Sequence, residues 1–113
     1  MMCTPIRVEE AARELTPLTE EIHFKDLVSR PNFKAGLIAF RPGGTTDPKQ
    51  INHPDKDVVC YVIRGKGRLR TDGGIRPLES GMLCHVPAKT PHDFTALDEE
   101  MLLLYILIDQ PPA

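Results

Sequence analysis

The sequence predicts a small all-β barrel that follows a short helical or irregular N-terminal segment. The chain has 113 residues, which is the length of a single domain. After the first residues, short apolar runs alternate with clusters of Gly, Pro, Asp and Asn, a pattern typical of strands joined by turns. About eight such runs follow at the regular spacing of a β-sandwich or β-barrel. We therefore expect an N-terminal segment at residues 1–22 and one barrel domain at residues 23–113.

The N-terminal segment has room for one or two helical turns at residues 8–15. Its apolar residues are too few to anchor a helical bundle, and Pro17 ends any helix there. Beyond it, apolar and β-branched runs bounded by turn residues predict the strands. In chain order the predicted strands cover residues 23–28, 34–40, 58–63, 68–71, 75–78, 82–86, 92–95 and 100–108.

The breaks between these strands have the chemistry of turns. Gly65 and Gly67 mark one turn, and the run Asp72-Gly73-Gly74 is typical of a hairpin with positive φ. The last run, at residues 101–108, is rich in Leu and would also suit a buried helix. We predict a strand buried on both faces, because the run is short and ends near two prolines.

Composition and charge exclude several classes of function. The net charge is −2 and no block of Lys and Arg is present, so we expect no nucleic-acid partner, which would need a clustered basic surface. The N-terminus lacks the apolar core of a signal peptide, and the longest apolar run is too short to span a bilayer. We therefore expect a protein without a membrane partner, located in the cytoplasm.

The cysteines fit the same location. Cys3, Cys60 and Cys84 are odd in number and lack the paired spacing of a disulfide framework. Cys60 and Cys84 lie in apolar runs, where a free cysteine packs as a small hydrophobe. We expect both to be core residues in a reducing compartment.

The segment around residues 81–96 resembles the second sequence motif of the cupin superfamily. Gly81, Pro87 and His92 stand at the motif's spacing, whereas Lys89 replaces the family's Gly and Ala96 replaces its Asn. This resemblance implies a double-stranded β-helix, the jelly-roll barrel of the cupins. It also implies that His92 turns into the barrel.

The first cupin motif matches in part. Gly65 takes the position of its closing Gly, and counting back from there places Val58 where the family has a Glu ligand. His53 then falls on the second of the motif's two His positions, and Ile51 falls on the first. The resemblance thus implies that His53 and His92 converge in one cavity, with two of the usual four metal ligands replaced.

The first functional hypothesis is a metal-binding cupin that binds or acts on a small polar molecule. The resemblance implies His53 and His92 as ligands of a divalent transition metal such as Zn, Fe, Mn or Ni, and we add Asp57 as a third ligand. Such a metal would polarise a carbonyl or carboxylate of the substrate. Asp57 lies one residue before the Glu position, so its side chain reaches the cavity only if the strand bulges. Asp55, Gln50 and Cys60 are further candidates.

The second hypothesis is a metal-free module that binds a small molecule without catalysis. Ile51 and Val58 put apolar side chains where two ligands would stand, and an aliphatic pocket with two histidines holds a ligand by burial and hydrogen bonds. On this view His53 and His92 are polar residues of the pocket. A purely structural role also stays open for each candidate: His92 as a hydrogen-bonded residue of a Pro-rich turn, His53 as a solvated loop residue, and Asp57 as an exposed residue at the start of a strand. The sequence leaves open whether the protein is an enzyme.

We also expect a homodimer. Small cupins commonly pair through sheet edges, and pairing removes the exposed edge of a sheet. The strand at residues 101–108 and the N-terminal segment are the expected contributors to such an interface.

Overall fold

Two antiparallel sheets enclose a shared apolar core. The computed structural model describes residues 4–42 and 55–110, and the strands within them run from β1 to β9. Their bounds are β1 Thr16–Pro17, β2 Ile22–Ser29, β3 Phe33–Phe40, β4 Lys56–Arg64, β5 Lys66–Thr71, β6 Gly74–Glu79, β7 Leu83–Val86, β8 His92–Ala96 and β9 Met101–Asp109. The larger sheet has the order β1-β2-β3-β9-β4-β7, and the smaller has the order β6-β5-β8. The predicted all-β barrel is confirmed.

The core lies between the two sheets and is built by alternation along each strand. On β5, Gly67 and Leu69 are buried, whereas Lys66, Arg68 and Arg70 are exposed. This alternation of period two is what a sheet with one buried face requires. The inward residues of both sheets form one cluster: Phe40, Val58, Cys60, Val62, Leu69, Leu78, Val86, Phe94, Ala96, Met101, Leu103 and Tyr105.

Strand β9 occupies the centre of the larger sheet, between β3 and β4. The prediction of a strand rather than a helix is confirmed, and Met101, Leu102 and Leu103 are fully buried. Burial on both faces holds only for this first part of the strand. Ile108, near its end, is 40% exposed, because the cluster that the N-terminal segment forms on the outer face of the sheet includes Leu102 and Leu104 but not Ile108.

That cover is the predicted N-terminal helical segment. An α-helical turn at Val8–Ala11 continues as a 3₁₀ turn at Ala12–Glu14, and Ala11 packs against Leu37, Ala39 and Leu102 of the outer face. The chain then adds the short strand β1, which pairs with β2 and was not predicted. The expected division of the chain between residues 22 and 23 stays a prediction. In the ranges that the structure describes, no helix has the length and apolar character needed to cross a bilayer.

The turn between β4 and β5 requires glycine for two reasons. Gly65 has a φ of +90°, which side-chain-bearing residues rarely adopt. A Cβ there would also lie 2.8 Å from Cα of Met101, closer than packed atoms allow. Gly65 therefore lets β4 turn into the smaller sheet while β9 passes directly against it.

Candidate functional site

A cavity of about 290 Å³ lies inside the barrel and is walled by residues from both sheets. Its wall is mostly apolar, with a few polar side chains placed at separate points. The lining residues are Leu18, Phe24, Asp26, Lys34, Ile38, Phe40, Val58, Cys60, His92, Phe94, Tyr105 and Leu107. An apolar concave site with few convergent polar groups is the usual form of a small-molecule pocket.

His92 is the buried polar residue of this wall contributed by the smaller sheet. Only 2% of the residue is exposed, and its ring meets the edge of Phe94 at a centroid distance of 5.7 Å. Its Nδ1 lies 2.9 Å from the carbonyl oxygen of Thr90. Because a carbonyl only accepts, Nδ1 donates the proton, and in the neutral ring Nε2 is the acceptor. The inward placement that the second motif implied for His92 is therefore present.

A second polar group lies on the larger sheet, where Tyr105 donates a hydrogen bond to Asp26. Burial, together with this hydrogen bond, raises the pKa of Tyr105, so the phenol remains protonated and keeps its role as donor. Lys34 lies 3.5 Å from the same carboxylate. The cavity thus has a Tyr–Asp–Lys group in addition to the imidazole.

Gly36 makes room for this group. A Cβ at Gly36 would stand 2.5 Å from the hydroxyl oxygen of Tyr105, so a side chain there would displace the phenol. Sequence reasoning missed Tyr105, Asp26 and Lys34. The available signal was Tyr105 itself, whose hydroxyl stands within the apolar run 101–108. A buried Tyr hydroxyl usually forms a hydrogen bond, so a polar partner was to be expected.

Val58 and Cys60 line the cavity from β4, as alternation along that strand requires. Val58 stands where the resemblance places a Glu ligand, so this part of the wall is apolar. Cys60 is buried as expected. Cys84 lies directly opposite it on β7 and is half-buried against the same core.

Asp57 faces away from Val58 and Cys60. Its Oδ2 lies 2.9 Å from Nε2 of His85, and its Oδ1 accepts a hydrogen bond of 2.9 Å from the Ala88 backbone N–H. The bonds to His85 and Ala88 lower the pKa of Asp57. The carboxylate therefore joins β4 to β7 and to the turn after it, and its role as a metal ligand stays a prediction.

Most of the remaining candidate ligands belong to the segment before β4. His53, Gln50 and Ile51 lie outside the described residues. Asp55 is exposed, and its backbone carbonyl accepts a hydrogen bond from Gln110. Within residues 4–42 and 55–110, no group of three or more His, Cys, Asp or Glu side chains is arranged to hold a metal ion. The part of the cavity wall that the structure describes, with Val58 where the cupin motif has its Glu ligand, therefore does not by itself make a metal site.

Comparison with known proteins decides the family. The model of the cupin domain family matches residues 36–108, well over half of the chain. This chain belongs to the cupin family. The cupin is 27% identical over 99 residues to an uncharacterized protein of Aquifex aeolicus (strain VF5), across 88% of this chain and 78% of that protein.

Solved structures share the architecture of this cupin. KdgF from Halomonas sp. is 22% identical with a TM-score of 0.75, over 86% of this chain and 88% of that chain. A predicted oxalate decarboxylase from Thermotoga maritima is 14% identical with a TM-score of 0.80, over 95% and 100%. A Klebsiella pneumoniae protein with a double-stranded β-helix domain is 14% identical with a TM-score of 0.79, over 96% and 91%. At these identities the likeness is one of fold, and the predicted jelly-roll class is confirmed.

Proposed function

We propose that this cupin binds a small organic molecule inside its barrel, through an apolar body and one or two polar groups. The observation that carries the proposal is the cavity itself, whose apolar wall includes the buried imidazole of His92. Burial of the ligand's apolar surface supplies most of the binding free energy. Hydrogen bonds to His92 and to the Tyr105 group fix its orientation.

The size and chemistry of the cavity narrow the ligand class. About 290 Å³ is near the lower end of the range for small-molecule pockets, roughly 300–1,000 Å³, which suits a single ring or a short branched chain. Phe24, Phe40 and Phe94 offer ring faces and edges to an aromatic or aliphatic body. Lys34 and Asp26 favour a hydroxyl at the ligand's other end, because a hydroxyl accepts from the ammonium and donates to the carboxylate.

A pair of substitutions on β9 tests this proposal. Leu107 lines the cavity, whereas its neighbour Ile106 lies on the opposite face of the same strand. Leu107→Phe should fill the cavity, and Ile106→Phe adds the same ring outside it. Thermal unfolding is measured in EDTA with benzyl alcohol, phenol and benzoate as probes.

We expect saturable stabilisation of the wild type and of Ile106→Phe, and its loss in Leu107→Phe. A ligand present at a hundredfold its Kd stabilises by about 2.7 kcal/mol, which is easily measured. Equal stabilisation of Leu107→Phe, or no response of the wild type to any probe, contradicts the proposal.

A metal-dependent form is the second candidate. The register of His92 and His53 in the two motifs favours it, with Zn, Fe, Mn or Ni as the metal and His53, His92 and Asp57 as the proposed ligands. Because Asp57 already bonds His85 and Ala88, this candidate depends most on the two histidines. Metal analysis of protein purified without a His tag tests it. One equivalent of bound metal that is lost in His92→Ala but kept in His23→Ala, a change on the outer face of β2, supports it, and no metal uptake by the wild type rejects it.

We further propose a homodimer formed through the outer face of the larger sheet. Tyr61 lies opposite Leu83 on β7 and opposite Leu104 on β9, so their side chains form one row across the sheet. Leu83 is 69% exposed and Tyr61 is 42% exposed. Exposed apolar patches are typical of protein interfaces. In a dimer with two-fold symmetry, the row of one copy would pack against the same row of the other.

A cytoplasmic location is part of the proposal. The three cysteines lack the paired spacing of a disulfide framework, and Cys60 and Cys84 pack as neighbours against an apolar core. Neighbouring thiols persist where the glutathione and thioredoxin systems keep cysteines reduced.

A further inference from the structure

Two cysteines face each other across the pair of strands β4 and β7. Cys60 and Cys84 are partners in the antiparallel ladder, so their Cα atoms are about 4.5–5.5 Å apart and their side chains share a face. Disulfides form at Cα separations of about 4.4–6.8 Å. The register therefore brings the Cα atoms within disulfide range without any change of strand pairing, and the Cβ atoms, about 4.5–5.5 Å apart across a ladder, must close to about 3.5–4.5 Å.

The surroundings of the two sulfurs differ. Cys60 is buried in the cavity wall, whereas Cys84 is half-buried on β7. Strand β7 is the last strand of its sheet and covers only Leu83–Val86. A short edge strand paired on one side adjusts at little cost when a cross-link forms.

We propose that Cys60 and Cys84 form a reversible disulfide when the protein meets a peroxide, so that the barrel carries an oxidation site in the wall of its cavity. The thiolate of Cys84 attacks one peroxide oxygen, the O–O bond breaks, and hydroxide leaves. The sulfur of Cys60 then attacks the resulting sulfenic acid of Cys84. Its thiol proton and the sulfenic hydroxyl leave as water, and the S–S bond forms. Two thiols and one hydrogen peroxide give one disulfide and two waters.

The difference in exposure assigns the roles of the two sulfurs, because Cys84 is half-buried and Cys60 is buried, and the direction of the pKa shift of Cys84 agrees with it. A hydrogen bond from the Cys60 thiol lowers the pKa of Cys84, whereas the same contact and burial raise the pKa of Cys60. The thiolate is the nucleophile, so the more accessible Cys84 reacts first. Cys60 is the resolving cysteine, and its thiol proton passes to the departing sulfenic hydroxyl as its sulfur attacks.

Oxidation would change the cavity as well as the thiols. The Cys60 sulfur is part of the cavity wall, and bonding to Cys84 draws it toward β7. Ligand uptake in the oxidised protein should therefore differ from uptake in the reduced protein. This consequence rests on the proposed function, whereas disulfide formation does not.

Peptide mass analysis of the full chain tests the disulfide. Cys3→Ser removes the third cysteine, so that only the two facing thiols remain. The protein is treated with one equivalent of hydrogen peroxide, alkylated and digested with trypsin, which places the two cysteines in peptides 57–64 and 71–89. We expect a cross-linked pair of these peptides that is lighter by two hydrogens than their sum, loss of alkylation at both cysteines, and full recovery with dithiothreitol.

Two further variants control for the chemistry. Cys84→Ser should leave the Cys60 thiol unoxidised at the same peroxide dose, because the first nucleophile is missing. With at least two equivalents of peroxide, Cys60→Ser should let Cys84 proceed to sulfinic acid, which consumes two peroxides per thiol, because the resolving thiol is missing. If Cys84 becomes sulfinic acid while Cys60 stays a free thiol, or if the cross-link joins two chains, the proposal is wrong. All of these readouts are independent of ligand binding.

Discussion

At the residue scale, Lys89 is a departure from the second cupin motif that has a consequence for the backbone. The residue replaces the family's Gly in the turn after β7, and its φ is +66°. A left-handed conformation places the Cβ of a side-chain-bearing residue close to the backbone, at a cost of about 1 kcal/mol. The structure thus gives a physical reason for the Gly of the motif and shows that this chain tolerates its loss.

Lys89→Gly should raise the free energy of unfolding by about 0.5–1 kcal/mol. Glycine removes the strain of the positive φ, although its freer unfolded chain offsets part of the gain. Denaturant unfolding of the variant and the wild type measures the difference. Lys89→Ala is the matched control and should give no gain, because alanine keeps the Cβ. An equal gain in both variants would mean that loss of the lysine side chain, rather than relief of the backbone, stabilises the protein.

At the scale of elements, one carboxylate connects two strands and a turn. Asp57 extends from β4 to His85 on β7 and to the backbone N–H of Ala88 beyond it. Both contacts favour the ionised form, so the pKa of Asp57 in the folded state is lowered. The stabilisation is complete above the unfolded-state pKa of about 3.9 and disappears as the pH falls through the lower folded-state value.

Asp57→Asn should therefore reduce the loss of folding stability that the wild type shows as the pH falls toward 3. Asparagine keeps an acceptor for Ala88 but has no charge to lose. We expect the variant to be less stable than the wild type at neutral pH and the difference to shrink below about pH 4. Thermal unfolding from pH 7 to pH 3 measures it, with Asp98→Asn, an exposed residue of the β8–β9 turn, as control. If the stability difference between Asp57→Asn and the wild type stayed constant with pH, its cause would be a change in hydrogen-bond geometry and not the loss of the charge.

Elements were more predictable than the contacts between them. The strands after the N-terminal segment were predicted to within one or two residues at each end. Their ends are visible in the sequence, because the apolar runs stop at residues that favour turns, such as Gly, Pro and Asp. Strand β1 was missed, since the pairing of Thr16–Pro17 is determined by β2. Alternation correctly indicated that Asp57 turns away from the cavity unless the strand bulges. The hydrogen bond from Tyr105 to Asp26 joins residues far apart in the chain, and no local pattern reveals which distant strands will be neighbours.

At the scale of the molecule, the two sheets have different outer faces. The smaller sheet presents Lys66, Arg68 and Arg70, and the Arg70 guanidinium pairs with Asp93 at 2.6 Å. On the larger sheet, the N-terminal segment covers the region of Leu102 and Leu104, and the row that begins at Leu104 continues through Tyr61 and Leu83 beyond that cover. The contrast makes the larger sheet the face on which we expect the second copy.

Leu83→Asp should shift the protein from dimer to monomer. A carboxylate in the middle of an apolar interface would be buried without a partner, which is costly. Light scattering after size-exclusion chromatography measures the mass. Ile75→Asp is the control, because Ile75 is 60% exposed but belongs to the smaller sheet. A wild type that is monomeric at working concentration, or a Leu83→Asp variant that stays dimeric, would refute the proposed interface.

The most direct test of ligand binding inside the barrel identifies the methyl groups whose NMR signals shift when a ligand is added. Ile38, Val58 and Leu107 line the cavity, whereas Val59 and Ile106 are on the outer face of the same strands. Methyl NMR spectra are recorded during titration with benzyl alcohol, phenol and benzoate. Binding in the barrel predicts saturable shifts of the methyl signals of the three inward residues and constant positions for those of the two outward residues. Shifts confined to Val59 and Ile106, or inward methyl groups that no probe moves, would contradict a ligand site between the sheets.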